Sequence, residues 1–396
     1  MKILYLTMSK IELHKQGIYS DLIHALTEAG HEITLLQVCE DCSAEEEKPS
    51  LTGKVRILKV AVGKLFGVNF IKKGINTVKI GPKVKAAVKR QLSNEHFDLV
   101  LYATPPITFA GVVRYVKKKC SCRSFLMLKD IFPQNAVDIG LFSAKSPIRA
   151  YFRHQEKVLY ALSDGIGCMS KGNLEYLLKH DPEIPAEKII VFPNTQKVCP
   201  VKSLQDTEEP GFPERKMRFV FGGNFGRPQA IDFLIRSIGE ERMQKLNAQF
   251  LFVGNGSETD KVKEAAERLP NMEFLPFMAP DAYERFMEGC DVGLISLDHR
   301  FTIPNYPSRV LAYMSMAKPV LAATDPVTDI RGLVTEEAKC GLWCSSDDPD
   351  AFISCVEEFV THPEKLMQYG MNGRKYFEEH FDVNRSVEMI EAFMKG

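Results

Sequence analysis

The chain lacks most of the features that would fix a function class at once. No apolar run approaches the roughly eighteen residues needed to span a bilayer, so no transmembrane segment is expected. Met1-Lys2 leads directly into the apolar Ile3-Leu4-Tyr5-Leu6, so no signal peptide is expected either. A cytoplasmic, reducing setting then suits its ten cysteines. Cys39 and Cys42 have redox-motif spacing, and Cys120 and Cys122 lie close together. Neither set has a second pair at zinc-site spacing or a nearby histidine pair, so metal and redox roles are not expected. No loop reads G-x-G-x-x-G and none matches a P-loop, which disfavours a dinucleotide or ATP engine. Internal repeats are absent. No nucleic-acid motif or aromatic stacking array is present, so no nucleic-acid partner is expected.

Net charge is also missing, but only as a sum. Residues 1–200 carry 29 Lys and Arg against 19 Asp and Glu, and the remainder carries 22 against 32. Between Ser50 and Arg90 stand eleven basic residues and no acidic one. Within 64–90, Phe66, Val68, Phe70, Ile71, Ile75, Val78 and Ile80 mix with Lys64, Lys72, Lys73, Lys79, Lys83, Lys85, Lys89 and Arg90. That is the character of a basic amphipathic segment lying on an anionic leaflet, where each basic residue contributes on the order of 1 kcal/mol. A solvated surface helix would have a similar composition.

At 396 residues the chain is long enough for two domains, each with its own core. Both halves alternate short apolar strands with helices, the pattern of parallel sheets covered on both faces. The first half opens with a strand over 2–7 and a helix over about 18–29, where Ile18, Leu22, Ile23 and Leu26 keep helical spacing. Strands follow near 31–36, 98–102, 124–128, 164–169 and 188–192. The polar, proline-bearing segment 196–216 reads as a linker. The pattern then restarts with strands near 217–221, 249–253, 273–276, 292–297 and 319–322. Domains are therefore expected at 1–195 and 217–379, with the first completed by a C-terminal helix over 380–396.

Two doubly wound domains of this kind place ligands at the C-terminal ends of their strands, in a shared central cleft. Gly17, Gly222, Gly223, Gly226, Gly254 and Gly256 are all expected in loops leaving strands, where a bare backbone can approach a phosphate. Further on, Pro307 and Ser308 open a short apolar helix. Pro307 suits its start, Ser308 can cap it, and the free N–H groups there favour a phosphate. The plain alternative is a well-capped buried helix. The glycine set together with this helix start points to a diphosphate ligand.

Four segments resemble a GT-B glycosyltransferase of glycosyltransferase family 4, closest to the branch that builds bacterial capsule, O-antigen and colanic-acid-type polysaccharides. Thr104-Pro105-Pro106 resembles that branch's T-S-P-P turn. Lys129-Asp130-Ile131-Phe132-Pro133-Gln134-Asn135-Ala136 is similar to its R/Q-D-L-W-P-E-S-A segment. Gly223-Asn224-Phe225-Gly226-Arg227-Pro228-Gln229 resembles its G-N-x-G-x-x-Q loop, and 307–320 its P-S-K…A-A-G-R/K-P-V segment.

The resemblance implies two Rossmann-like domains with the donor mainly on the second and the acceptor on the first. It implies sugar transfer with retention and generally without a bound metal, so no cofactor is expected. Positive groups and helix N-termini would then stabilise the leaving diphosphate. The donor residues it implies are Gly223, Asn224, Gly226, Arg227, Gln229, Asn255, Gly256, Phe277, Tyr306, Ser308 and Arg309. On the acceptor side it implies a loop with Gly17, Thr104 and Pro105, and a catalytic pair, Asp130 and Lys129. Asp130 could orient or deprotonate an acceptor hydroxyl, or simply cap a loop. Lys129 stands where many relatives have histidine, and Gln229 where many have lysine.

Many relatives carry a ribose-binding glutamate where this chain has Ala312. They also carry a glutamate near the transferred sugar, where Pro304 or Asn305 stands. The expected partners are a UDP-sugar, an N-acetylated one among the candidates, a polyprenyl-diphosphate-linked saccharide, and an anionic membrane surface through residues 64–90. The expected location is peripheral on the inner face of the cytoplasmic membrane. Two alternatives remain at this point: an enzyme epimerising UDP-GlcNAc on the same fold, and a non-catalytic nucleotide-sugar-binding protein.

Overall fold

The computed structural model describes residues 1–40, 42, 50–63, 70–200, 216–304 and 306–396; for 70–75 it describes the backbone alone. Expectations placed on Lys64, Phe66, Val68, Asn305, the side chains of 70–75 and most of the 196–216 segment fall outside these residues. The chain divides into two compact units, one formed by Met1–Thr195 with Val383–Gly396 and the other by Gln196–Asp382.

The first unit holds an eight-stranded sheet of β1 (Lys2–Thr7), β2 (Glu32–Cys39), β3 (Ser50–Thr52), β4 (Val55–Ala61), β5 (Leu99–Ala103), β6 (Arg123–Leu128), β7 (Gly165–Cys168) and β8 (Ile189–Val191). Its order is β3-β4-β2-β1-β5-β6-β7-β8. Every pairing is parallel except β3 with β4, which is antiparallel. The order reverses between β1 and β5, so the loops leaving these two strands flank the place where such sheets bind ligands.

One face of this sheet packs Ile3, Tyr5 and Leu101 against Leu22, Ile23 and Leu26 of the helix Ile18–Glu28. The C-terminal helix Val383–Lys395 completes that layer with Val387 and Ile390. Phe393 stacks edge-on to Phe125 with ring centroids 5.1 Å apart. β7 must carry glycine here, since a Cβ at Gly165 would lie 2.7 Å from the Phe393 ring and one at Gly167 2.5 Å from Phe192. Cys39 at the end of β2 and Cys42 lie close together, with Cα atoms 6.0 Å apart.

Of the apolar residues expected on a leaflet, only Val78 and Ile80 have described side chains, and Val78 is exposed on the helix Phe70–Gln91. Ile80, Val84 and Val88 are buried in the unit. A Cβ on Gly81 would collide with the Thr108 carbonyl, so the helix lies hard against the turn Ile107–Phe109. Lys79, Lys83, Lys89 and Arg90 face outward beside Val78.

The second unit holds a parallel six-stranded sheet of β9 (Met217–Asn224), β10 (Ala248–Asn255), β11 (Met272–Leu275), β12 (Val292–Ser296), β13 (Val320–Thr324) and β14 (Gly341–Ser345). Its order is β11-β10-β9-β12-β13-β14, with the reversal at β9 and β12. Residues alternate between its two faces, as the pleat requires. Phe219, Phe221, Phe250 and Phe252 enter one core, and Val220, Leu251 and Val253 the other. The glycine-containing segment expected as a loop begins as strand: Gly222, Gly223 and Asn224 pair with Val253, Gly254 and Asn255. Only glycine allows this close approach, because a Cβ on Gly254 (φ +150°) would strike the Gly223 carbonyl.

Candidate functional site

At the C-terminal ends of β9 and β10 the second unit opens a cavity of about 260 Å³. That is slightly smaller than the roughly 300–1,000 Å³ of sites that take drug-sized ligands, and suits part of a nucleotide. Gly222, Gly223 and Val253 form its strand side. Phe277, Met278, Pro280 and Tyr283 come from the segment after β11, and Arg309, Ala312 and Tyr313 from the helix Arg309–Ser315.

Two tyrosines fix the back of this cavity. The Tyr313 hydroxyl shares its one proton between two main-chain carbonyls, Val220 at 3.1 Å and Leu294 at 3.2 Å, and accepts from the Gly222 N–H at 3.4 Å. Its ring lies over Gly293, where any Cβ would collide. Tyr283 places its hydroxyl against Gly222 and within hydrogen-bonding reach of Tyr313. Burial raises the pKa of both phenols, so both stay neutral.

Among the described residues, Arg309 is the single charged side chain of the lining. It donates to the Asn224 carbonyl at 3.0 Å, and its guanidinium lies 4.3 Å from the centre of the Phe221 ring. Burial lowers its pKa, yet a guanidinium remains charged at any ordinary pH. Gly223, at φ +114°, lets the guanidinium pass, since a Cβ there would sit 3.1 Å from a terminal nitrogen. A fixed cation beside bare strand-end backbone is a chemical match for a diphosphate.

Of the residues expected at the donor, Gly223, Phe277 and Arg309 line this cavity. Asn224, Gly226, Arg227, Gln229, Asn255 and Gly256 cluster at the same strand ends without lining it. Gln229 is used to shape the loop, its side-chain oxygen accepting from the Gly226 N–H at 3.0 Å and the Asn224 side chain at 3.3 Å. Arg227 is exposed, and Phe277 is 67 % exposed.

Two expectations need correction. Ser308 has helical backbone angles and forms no side-chain cap, so its hydroxyl does not close the helix start. Tyr306 packs edge-on to Phe381, with centroids 6.3 Å apart, in the apolar cluster beside Tyr376 rather than in the cavity. Tyr283 and Tyr313 were not among the residues expected from sequence. The available signal was glycine at Gly222 and Gly293 inside otherwise bulky strands, which marks a close neighbour.

In the first unit, Thr104 at the end of β5 organises the segment after β6. Its hydroxyl accepts from the Lys129 N–H at 3.0 Å and the Asp130 N–H at 3.3 Å. Lys129 and Asp130 are thereby held at the C-terminal edge of the sheet. The Lys129 ammonium lies 5.5 Å from the centre of the Phe192 ring, and neither side chain forms an ion pair with another described residue. Enclosure without a counter-charge pushes Lys129 down to about 7 and Asp130 up to about 6. Burial, and secondarily the nearby Asp130 carboxylate, pushes the Tyr19 phenol up to about 12.

Gly17 accepts through its carbonyl from the Ser20 hydroxyl at 3.0 Å and opens the helix Ile18–Glu28 after β1, while Pro105 is exposed. Among the described residues no group of three or more His, Cys, Asp or Glu could hold a metal, and no helix is long and apolar enough to cross a membrane.

The family described as "Glycosyltransferase Family 4" matches residues 19–195, and "Glycosyl transferases group 1" matches 216–362. A probable glycosyltransferase of Pseudomonas aeruginosa, WbjE, is 27 % identical over 307 residues, covering 75 % of this chain and 74 % of its own. Sucrose-phosphate synthase from Thermosynechococcus elongatus superposes with a TM-score of 0.77 at 14 % identity, over 100 % of this chain and 98 % of its own. The fold is that of the GT-B glycosyltransferases, and each unit matches a glycosyltransferase family model. Anabaena HepE, solved in complex with UDP and glucose, also shares the fold, with a TM-score of 0.70 at 16 % identity over 100 % of this chain and 99 % of its own. In this glycosyltransferase the cavity at Arg309 lies in the unit matched by the group 1 model, and Asp130 in the unit matched by the family 4 model.

Proposed function

We propose that this glycosyltransferase moves a sugar, with retention of configuration, from a UDP-sugar to a lipid-linked saccharide in the building of a bacterial surface polysaccharide. The observation that carries the donor half is the cavity on the second unit, where apolar walls meet one fixed cation at glycine strand ends. The apolar part suits a base and ribose, and Arg309 would stabilise the charge that gathers on the diphosphate as the glycosidic bond breaks. The complex of HepE with UDP and glucose supports a nucleotide-sugar donor for a chain of the same fold.

On the first unit, Asp130 at about 6 is poised to accept the proton of an acceptor hydroxyl near neutral pH. Lys129, at about 7, can be neutral or charged over the same range and would orient substrate oxygens. The outward basic face of Phe70–Gln91 would hold the enzyme on an anionic leaflet through Lys79, Lys83, Lys89 and Arg90, while Ile80, Val84 and Val88 serve the core of the unit. No metal is proposed.

The test is a transfer assay with radiolabelled UDP-sugars and a polyprenyl-diphosphate-linked saccharide, with the anomeric configuration of the product read by NMR. Transfer with retention supports the reading. Hydrolysis or transfer from no nucleotide-sugar, with the acceptor present, would overturn it.

A further inference from the structure

The side-chain hydroxyls of the donor cavity are already committed. The Tyr313 hydroxyl is shared among Val220, Leu294 and Gly222 of the main chain. The Tyr283 hydroxyl is wedged against Gly222 and Tyr313. Arg309 is a donor only and faces the strand-end backbone. The rest of the lining is glycine and apolar carbon, and no carboxylate or amide side chain stands among its described residues. Ala312, half-buried one turn after Arg309, presents a methyl group where a longer residue could have placed an acceptor.

A pocket rejects an analogue lacking a hydroxyl only when it has built a hydrogen-bonding partner for that hydroxyl. An apolar pocket discriminates weakly. We infer that this donor site does not read the ribose 2′-hydroxyl, and that 2′-deoxynucleoside diphosphate sugars are donors alongside their ribonucleoside counterparts. This rests on the nucleotide reading of the cavity proposed above. Ala312 is then a specificity-determining position: the small side chain keeps the sugar of the nucleotide unread.

The test is calorimetric titration of the full chain with UDP and with 2′-deoxy-UDP. A hydroxyl held by a charged acceptor contributes enough for a preference above about tenfold. Affinities within about tenfold of each other support the inference. A preference for UDP beyond that overturns it while leaving the nucleotide site intact, whereas binding of neither overturns the nucleotide reading itself. The Ala312→Glu variant should gain a preference for UDP over 2′-deoxy-UDP of about tenfold.

Discussion

Tyr283 and Gly222 share one space: the tyrosine hydroxyl lies where any side chain on the glycine would have to go. The contact joins the helix Pro280–Glu288 to the end of β9 and so closes the back of the donor cavity. Gly222→Ala should therefore displace Tyr283 and break its link to Tyr313. Overpacking of this kind costs about 1–3 kcal/mol. The expected result is a lower melting temperature and weaker UDP binding together, checked by calorimetry on the purified variant. Tyr283→Phe, which keeps the ring, should retain most of the stability.

Arg309 is expected to act on the diphosphate and not on the base. Hydrogen bonds to charged groups contribute about 1.5–3 kcal/mol, so Arg309→Ala should weaken UDP binding by about 10- to 150-fold. Uridine should lose little. Equal losses for UDP and uridine in titration would mean that Arg309 only supports the pocket wall.

For Asp130, proton transfer predicts a split between binding and turnover. Asp130→Asn should lower kcat by about 100-fold or more while leaving the donor Kd within about threefold. In the wild type, kcat/KM should rise with pH through about 6 as the carboxylate ionises. A variant with the wild-type profile would assign Asp130 to loop structure alone.

The strands and the strand-end glycines were legible because short continuous apolar runs and bare backbone leave local marks. β4 was not, since Arg56 and Lys59 interrupt its pattern, and β14 is a short run around Trp343. The glycine segment was expected as a loop because nothing local reveals that Gly222 to Asn224 find partners in β10. Tyr283 is matched to Gly222 across 61 positions of chain, and helical periodicity in its own segment says only that one face is apolar. Ser308 had the chemistry of a cap, but its backbone joins the helix. Local signals thus marked the scaffold and the phosphate-side glycines, and long-range packing decided the pocket.

A buried charge cluster gives a prediction about stability. Arg153 donates to Glu156 and to Asp181, each at 2.5 Å, and both carboxylates are 2 % exposed. Two acids share one cation, and burial pushes Glu156 up to about 7, above its unfolded value. A raised carboxyl favours the folded state while it is protonated, so this contribution is full below about 4.5 and is lost as pH rises through about 7. Glu156→Gln should remove that component and flatten the melting temperature against pH between these limits. An unchanged slope would place the titration elsewhere.

The basic face of the helix Phe70–Gln91 is expected to bind the leaflet through its charge. Replacing Lys79, Lys83, Lys89 and Arg90 with glutamine should release the protein from phosphatidylserine-containing vesicles, and salt should do the same to the wild type. Binding that survives both treatments in a sedimentation assay would exclude this helix as the attachment site.

The central claim is that the second unit holds a nucleoside diphosphate. A thermal-shift panel of UDP, dTDP, GDP, CDP, ADP and NAD tests it directly. A ligand at about 100 times its Kd stabilises by about 2.7 kcal/mol. The account predicts a clear upward shift with UDP that disappears in Arg309→Ala, and no shift with NAD. A response to NAD alone, or a UDP shift of the same size in Arg309→Ala, would contradict it.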